Sequence, residues 1–304
     1  MSAGTHASAS AARPTLWRAW WSAIRPRTLG ASLIPVAVGA ALAASEGRLR
    51  AGVALACAAA ALALQIGTNL VNDALDFLNR IDTAERLGPT RVTLAGWLSA
   101  RAVLGGSALA FAAALACGVY LVAVGGLPIL GIGLASIAAA VGYSAGPFPL
   151  ASHGLGELAA FVFFGVVAVT GSAYLHLDRW SAAALAASLP VAALVSAIMA
   201  VNNLRDIETD ARSGKRTLAV RLGAPRARNL YTALVAGAYA WTLALACLRG
   251  SLWMLLPLAS LPLALGAVRQ LRAASSGPQF NLALAGTARL HIVYGGLLCV
   301  ALAC

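Results

Sequence analysis

The feature that most restricts this chain is the length of its stretches without formal charge. Residues other than Asp, Glu, Lys and Arg run unbroken over 28–45, 51–72, 102–156, 158–177, 180–204, 229–248, 250–268 and 290–304. A helix crosses the hydrocarbon core of a bilayer with about 20 apolar residues. The stretch over 102–156 holds two such lengths, with Gly125, Gly126 and Pro128 supplying a turn between them. With 60% hydrophobic and only 11% charged residues, the chain does not read as a water-soluble globule. Ala, Leu and Val dominate and no segment alternates as a membrane barrel strand would. The expected fold class is therefore all-α: an integral membrane bundle of nine transmembrane helices over 29–46, 51–70, 102–123, 127–143, 158–176, 181–201, 229–248, 251–268 and 286–304.

Those spans sort the charges. The N-terminal segment and alternate loops take nearly all of the 22 Lys and Arg, leaving Arg48, Arg50, Arg179 and Arg249 on the other side. The positive-inside rule then puts the N-terminus in the cytoplasm and the C-terminus across a bacterial-type inner membrane. Topology accounts for the net charge of +12, so no nucleic-acid partner is invoked; the partner is the lipid bilayer. Residues 1–16, without a basic start and apolar core, are expected to be a disordered tail rather than a signal peptide, and 17–304 to be the membrane domain. Cys57, Cys117, Cys247, Cys299 and Cys304 lie singly in apolar spans, as buried small hydrophobes do.

Of only ten acids, Asp73, Asp76, Asp82 and Glu85 fall in one window and Asp206, Glu208 and Asp210 in another. Both windows close a span on the same side. Asn69, Asn72, Asp73 and Asp76 stand at i, i+3, i+4 and i+7, one face of a helix, and Asn203, Asp206 and Asp210 repeat that stripe. Carboxylates cost about 2.5–3.5 kcal/mol each at the centre of a membrane helix. A divalent cation offsets that cost, and hard carboxylate oxygens near helix C-termini suit Mg²⁺, which completes its shell with phosphate oxygens. Arg80, Arg86 and Arg91 follow the first cluster; Arg205, Arg212, Lys215, Arg216 and Arg221 surround the second. Acids for Mg²⁺ and bases for phosphate on an apolar bundle describe a site for a diphosphate head with a greasy tail, such as a prenyl diphosphate.

The chain resembles the UbiA-type intramembrane aromatic prenyltransferases, and among them the 1,4-dihydroxy-2-naphthoate polyprenyltransferases of menaquinone biosynthesis. RPRTLGASLIPVAVGAALA, NLVNDALDFLNRID, ERLGPTR, GLGELAAFVFFGVVAVTG and, most specifically, NNLRDIETDARSGKRTLAVRLG over 202–223 carry the resemblance. It implies nine helices around a central cavity with the two Asp-rich motifs facing across its mouth. It also implies catalytic and metal roles for Asp73, Asp76, Asp206 and Asp210. Diphosphate contact is implied for Asn69, Asn203, Arg86, Arg91 and Lys215. The first motif departs from the family pattern at Arg80, usually glycine, and at Glu85, commonly Asp, which sets Asp82 apart as a ligand or a loop-positioning residue.

The implied activity is Mg²⁺-dependent transfer of a polyprenyl group from an allylic diphosphate to 1,4-dihydroxy-2-naphthoate, with loss of diphosphate and CO₂. Arg25 and Arg27 are either holders of the acceptor carboxylate or interfacial anchors. Tyr143 and Phe148 are either aromatic faces for an allylic cation or helix-end anchors. His153 is either a phenolic proton partner or a solvated loop residue. His291 and Arg289 are polar residues in an apolar setting, and snorkelling accounts for Arg289. Acceptors such as 4-hydroxybenzoate, homogentisate or a haem ring remain open within the superfamily. A secondary transporter is the alternative from another class, although its charges belong at the midplane rather than at one face. A phosphatidyltransferase would carry Asp-Gly and Ala-Arg elements that this chain lacks.

Overall fold

A computed structural model describes residues 14–79, 88, 90–143 and 147–304, with Arg27 described by its backbone alone. All regular structure among the described residues is helical. A short α1 (Leu16–Ile24) leads into α2 (Pro26–Ser45), α3 (Ala51–Leu78), α4 (Ala100–Gly125) and α5 (Leu127–Gly142). Then come α6 (Gly156–Leu177), α7 (Ala182–Arg205), the short α8 (Ile207–Arg212) and α9 (Leu218–Leu222), α10 (Ala224–Arg249), α11 (Leu252–Ala273) and α12 (Gly277–Ala303). Eight of these are long and apolar enough to cross a membrane. The protein is a multi-pass membrane protein. The ninth expected span, α5, has 16 residues, about 24 Å at 1.5 Å per residue, short of a 30 Å core. It nevertheless traverses the bundle. Gly125, before its turn, packs on Leu175 near the end of α6, whereas Tyr143, after it, lies within electrostatic reach of Asp76 at the opposite end.

Charge-free runs located the spans but understated their length. α3 continues to Leu78, α7 to Arg205, and α12 begins at Gly277, so the helices carry their polar ends onward instead of stopping at the first polar residue. α1 was not expected. Ala19 and Ala23 pack on one of its faces beside Leu70 and Ala74 of α3, while Trp17 and Trp21 are exposed on another with ring centroids 5.5 Å apart. Residues 1–13 of the expected tail lie outside the described residues, and helix begins at Leu16.

The centre of the bundle is α7, 72% of whose apolar stretch is buried against 39% or less for every other span. Its close neighbours include α6, α10 and α12, and α2 bridges α12 and α6. Small residues permit this: a Cβ added at Gly165 would lie 2.1 Å from that of Ala192, and one at Gly39 would lie 2.6 Å from the Val169 carbonyl oxygen. α4 is the most peripheral, 11% buried, and presents Leu109, Leu115 and Val119 outward. All five cysteines are free, but only Cys57 is buried. Cys247 and Cys304 are exposed on the outer surface, where an apolar thiol is at no disadvantage against lipid.

The end away from the acid motifs is tied by its few charges. Arg48 donates to the Leu177 carbonyl at 3.0 Å, Arg50 pairs with Asp178 at 2.9 Å, and Arg179 pairs with Glu46 at 2.6 Å. The α2–α3 and α6–α7 loops therefore share that end, as the sorting of the arginines requires.

Candidate active site

Because α3 runs unbroken through the first motif, Asn69, Asp73 and Asp76 share one buried face, while Phe77 and Leu78 are exposed. Asn69 serves the backbone. Its amide donates to the Ile24 carbonyl at 3.0 Å and to Thr28 Oγ1 at 3.1 Å, and its own oxygen accepts from Gln65 at 3.2 Å. These bonds clamp the α1–α2 elbow, where Arg25 adopts the left-handed conformation at φ 53° ahead of Pro26. Such backbone strain in a non-glycine residue persists only when its surroundings enforce it. Arg25 is thereby held at the motif end. The Arg27 side chain lies outside the described residues.

Asp73 is wholly buried. Its carboxylate accepts from the Val92 and Thr93 backbone N–H groups, both at 3.1 Å, and from the Thr93 hydroxyl. Three of about four acceptor positions are thus taken. The effect is to pin the turn that begins at Arg91, whose Nη2 donates to Asp76 Oδ2 at 2.7 Å. The other Asp76 oxygen faces Lys215 Nζ at 3.7 Å. Lys215 belongs to the second motif, its backbone N–H donating to the Asp210 carbonyl at 2.9 Å. The two motifs therefore meet. Arg86, with Arg80, Asp82 and Glu85, lies outside the described residues.

The second motif is not the continuous stripe that its spacing suggests. α7 stops at Arg205, Asp206 takes φ −95° and ψ 10°, and α8 restarts at Ile207. Adjacent residues on a regular helix point apart, yet Arg205 forks onto both oxygens of Asp206 at 2.8 and 2.6 Å, a pairing that accompanies the break. The same guanidinium donates to Asn202 at 2.9 Å and to Asn281 of α12 at 3.1 Å. Asp210, half-buried on α8, lies within electrostatic reach of the Tyr143 phenol together with Asp76, Glu157 and Arg91.

Tyr143 is the aromatic residue that the fold brings to the acids. Phe148 is 57% exposed and stacks on His153 with centroids 3.7 Å apart, and the His153 Nδ1 lies 2.8 Å from the Pro149 carbonyl oxygen. His153 is thus engaged within its own loop. That loop packs on the second motif, where the Arg216 N–H donates to the Ser152 carbonyl at 2.9 Å. His291 is buried within α12 and Arg289 is exposed on it.

Residue patterns missed two participants. Arg205 was expected to bind phosphate and instead holds Asp206. Glu157, in the first turn of α6, is buried and accepts from Asn203 Nδ2 at 2.9 Å. Its signal was present: it is the only Asp, Glu, Lys or Arg between Arg101 and Asp178, and an ionisable residue in an apolar span marks a functional position by default.

Among the described residues no three His, Cys, Asp or Glu side chains converge as a metal cluster. The donor chemistry still fits a hard divalent cation. Carboxylates of both motifs lie within electrostatic reach of the Tyr143 phenol, and the Asp76 oxygen facing Lys215 already has a positive charge opposite it.

Helices long enough to cross a bilayer, with acids and bases of two distant segments joined at one end, define an intramembrane helical protein with a charged site at one end of its bundle. A family model described as the UbiA prenyltransferase family matches residues 32–293, and the chain belongs to that family. It is 38% identical to the 1,4-dihydroxy-2-naphthoate octaprenyltransferase of Mycobacterium tuberculosis, covering 90% of this chain and 93% of that one. It is 32% identical to the protein of the same name from Bacillus subtilis, covering 93% and 91%. Solved structures share the fold. A UbiA homolog from Aeropyrum pernix K1 superposes with a TM-score of 0.69 at 22% identity over 91% of this chain and 98% of its own. A homolog from Archaeoglobus fulgidus bound to GPP and Mg²⁺ gives 0.64 at 16% identity over 93% and 99%.

Proposed function

We propose that this protein transfers a polyprenyl group from an allylic polyprenyl diphosphate to 1,4-dihydroxy-2-naphthoate, releasing diphosphate and CO₂ and forming demethylmenaquinol. The acceptor is supported by the printed function of relatives at 32–38% identity over nearly the whole chain. The observation that carries the site is the approach of Lys215 to Asp76, which joins the two motifs at one cleft. In this reading Asp76 and Asp210 would hold the metal, with Asp73 and Asp206 completing the acidic set of each motif. When bound, Mg²⁺ would neutralise charge developing on the leaving diphosphate.

Arg91 and Lys215, which now flank Asp76, would turn to the diphosphate oxygens, a natural exchange because a buried carboxylate needs a cation in either state. Arg86 joins them from the segment outside the described residues. Asn69 acts through the elbow that presents Arg25, and Arg25 receives the acceptor carboxylate with Arg27 beside it. Tyr143 offers its ring face to the allylic cation. The bundle excludes water, which would otherwise convert that cation to an alcohol. The motif end and N-terminus face the cytoplasm of the inner membrane, an orientation supported by the sorting of Lys and Arg.

The test is to incubate membranes containing the protein with Mg²⁺, a polyprenyl diphosphate and either 1,4-dihydroxy-2-naphthoate or 4-hydroxybenzoate, and to identify products by mass. A decarboxylated, prenylated naphthoquinol is expected. Prenylation of the benzoate alone would overturn the acceptor, and no Mg²⁺-dependent product from either would overturn the reaction.

A further inference from the structure

Glu157 has one oxygen occupied and one idle. Oε1 accepts from Asn203, whereas Oε2 is buried without a hydrogen-bond partner among the described residues, in a residue only 6% exposed. Buried polar atoms are nearly always satisfied, so an orphan in a native site calls for an explanation. A purely structural partner for Asn203 needs only one oxygen.

The idle oxygen also has suitable surroundings. Glu157 lies within electrostatic reach of the Tyr143 hydroxyl, which donates to Met199 Sδ at 3.2 Å and is also within electrostatic reach of Asp76 and Asp210. Position 156 has no side chain: a Cβ there would come within 3.3 Å of the Tyr143 hydroxyl and 3.5 Å of the Asn203 amide nitrogen, filling the space between them. Directly afterwards, α6 runs in π geometry over Ala160–Val167, a distortion concentrated at functional sites.

We propose that Glu157 Oε2 accepts the hydrogen bond of a ring hydroxyl of the aromatic acceptor, in a subsite walled by Tyr143, Gly156 and Asn203. This rests on the prenyl-transfer reading above and states where its acceptor is held and how the site tells a hydroxylated ring from one without. An acceptor lacking that hydroxyl would leave the buried oxygen unpaired, the situation in which a polar site discriminates most strongly.

The test measures binding, not turnover. The full chain in lipid nanodiscs, without Mg²⁺ or prenyl diphosphate, is titrated with 1,4-dihydroxy-2-naphthoate and with its 1-hydroxy and 4-hydroxy analogues, read by tryptophan fluorescence. In the unaltered protein, loss of the recognised hydroxyl weakens binding about tenfold or more. In Glu157→Gln, which keeps an oxygen for Asn203 but presents an N–H where Oε2 stood, the two ligands bind within about threefold of each other. Binding of a prenyl thiolodiphosphate with Mg²⁺ stays within about twofold of the unaltered protein. Retention of full discrimination in Glu157→Gln overturns the proposal. So does an unaltered protein that binds the diol and both analogues equally, a result that needs no variant to fold. Glu157→Asp, with the carboxyl drawn back by one methylene, is expected to discriminate to an intermediate degree. If the protein binds 4-hydroxybenzoate and not the naphthoates, the acceptor assignment fails, while the same comparison against benzoate still reads Glu157.

Discussion

The two acid motifs look alike in sequence and are built differently. In the first, an unbroken α3 presents the stripe, and Asp73 is sealed by the N–H groups of Val92 and Thr93. In the second, the helix breaks at Asp206, which is gripped by its own neighbour Arg205. The outcome nevertheless converges. In each motif the first acid bonds to groups that fix the local chain, while Asp76 pairs with Arg91 and faces Lys215, and Asp210 lies half-buried on α8. Equal spacing therefore does not mean equal surroundings: Asp73 and Asp206 are tied to their local frame, and Asp76 carries the contact between the motifs.

That division can be broken by substitution. The largest effect is expected at Asp76→Asn, where prenyl transfer should fall about 10²–10³-fold, with a loss of stability as well because the buried Arg91 loses its carboxylate partner. Asp206→Ala should lower stability by about 3–5 kcal/mol, read as a large drop in melting temperature, because Arg205 is left buried without its carboxylate. Undiminished stability in Asp206→Ala would contradict the structural role of the Arg205–Asp206 pair. Thr93→Val should cost about 1 kcal/mol and expose the segment after residue 90 to faster proteolysis, since the hydroxyl shared between the Asp73 carboxylate and its backbone carbonyl is lost while the backbone N–H bonds remain. The smallest effect is expected at His153→Ala, with activity within about threefold of the unaltered protein, because its ring bonds within its own loop and the rest of that loop's backbone bonding remains.

Much of this was legible in the residues. Eight of the expected spans followed from charge-free length, and the first stripe followed from helical spacing, because Asn69, Asp73 and Asp76 do sit on one uninterrupted face. The break at Asp206 was not legible, because it accompanies a contact between sequence neighbours that a regular helix would hold apart. Nor could spacing separate Asp73 from Asp76. The difference lies in backbone N–H groups about twenty positions away, brought in by the turn at Arg91. The diphosphate contact of Asn69 came from the family resemblance, and no spacing could have shown that its amide bonds to Ile24 and Thr28. Glu157 was visible as a lone acid but had no partner in its own window; Asn203 lies on another helix.

The central claim is that both motifs grip one metal-bound diphosphate. Its most direct test is calorimetric titration of the protein with a non-reactive prenyl thiolodiphosphate in the presence of Mg²⁺. Asp76→Asn alone and Asp210→Asn alone should each weaken binding about tenfold or more, and each should remove most of its dependence on the cation. Undiminished, Mg²⁺-dependent affinity in either variant would mean that the two motifs do not share a ligand.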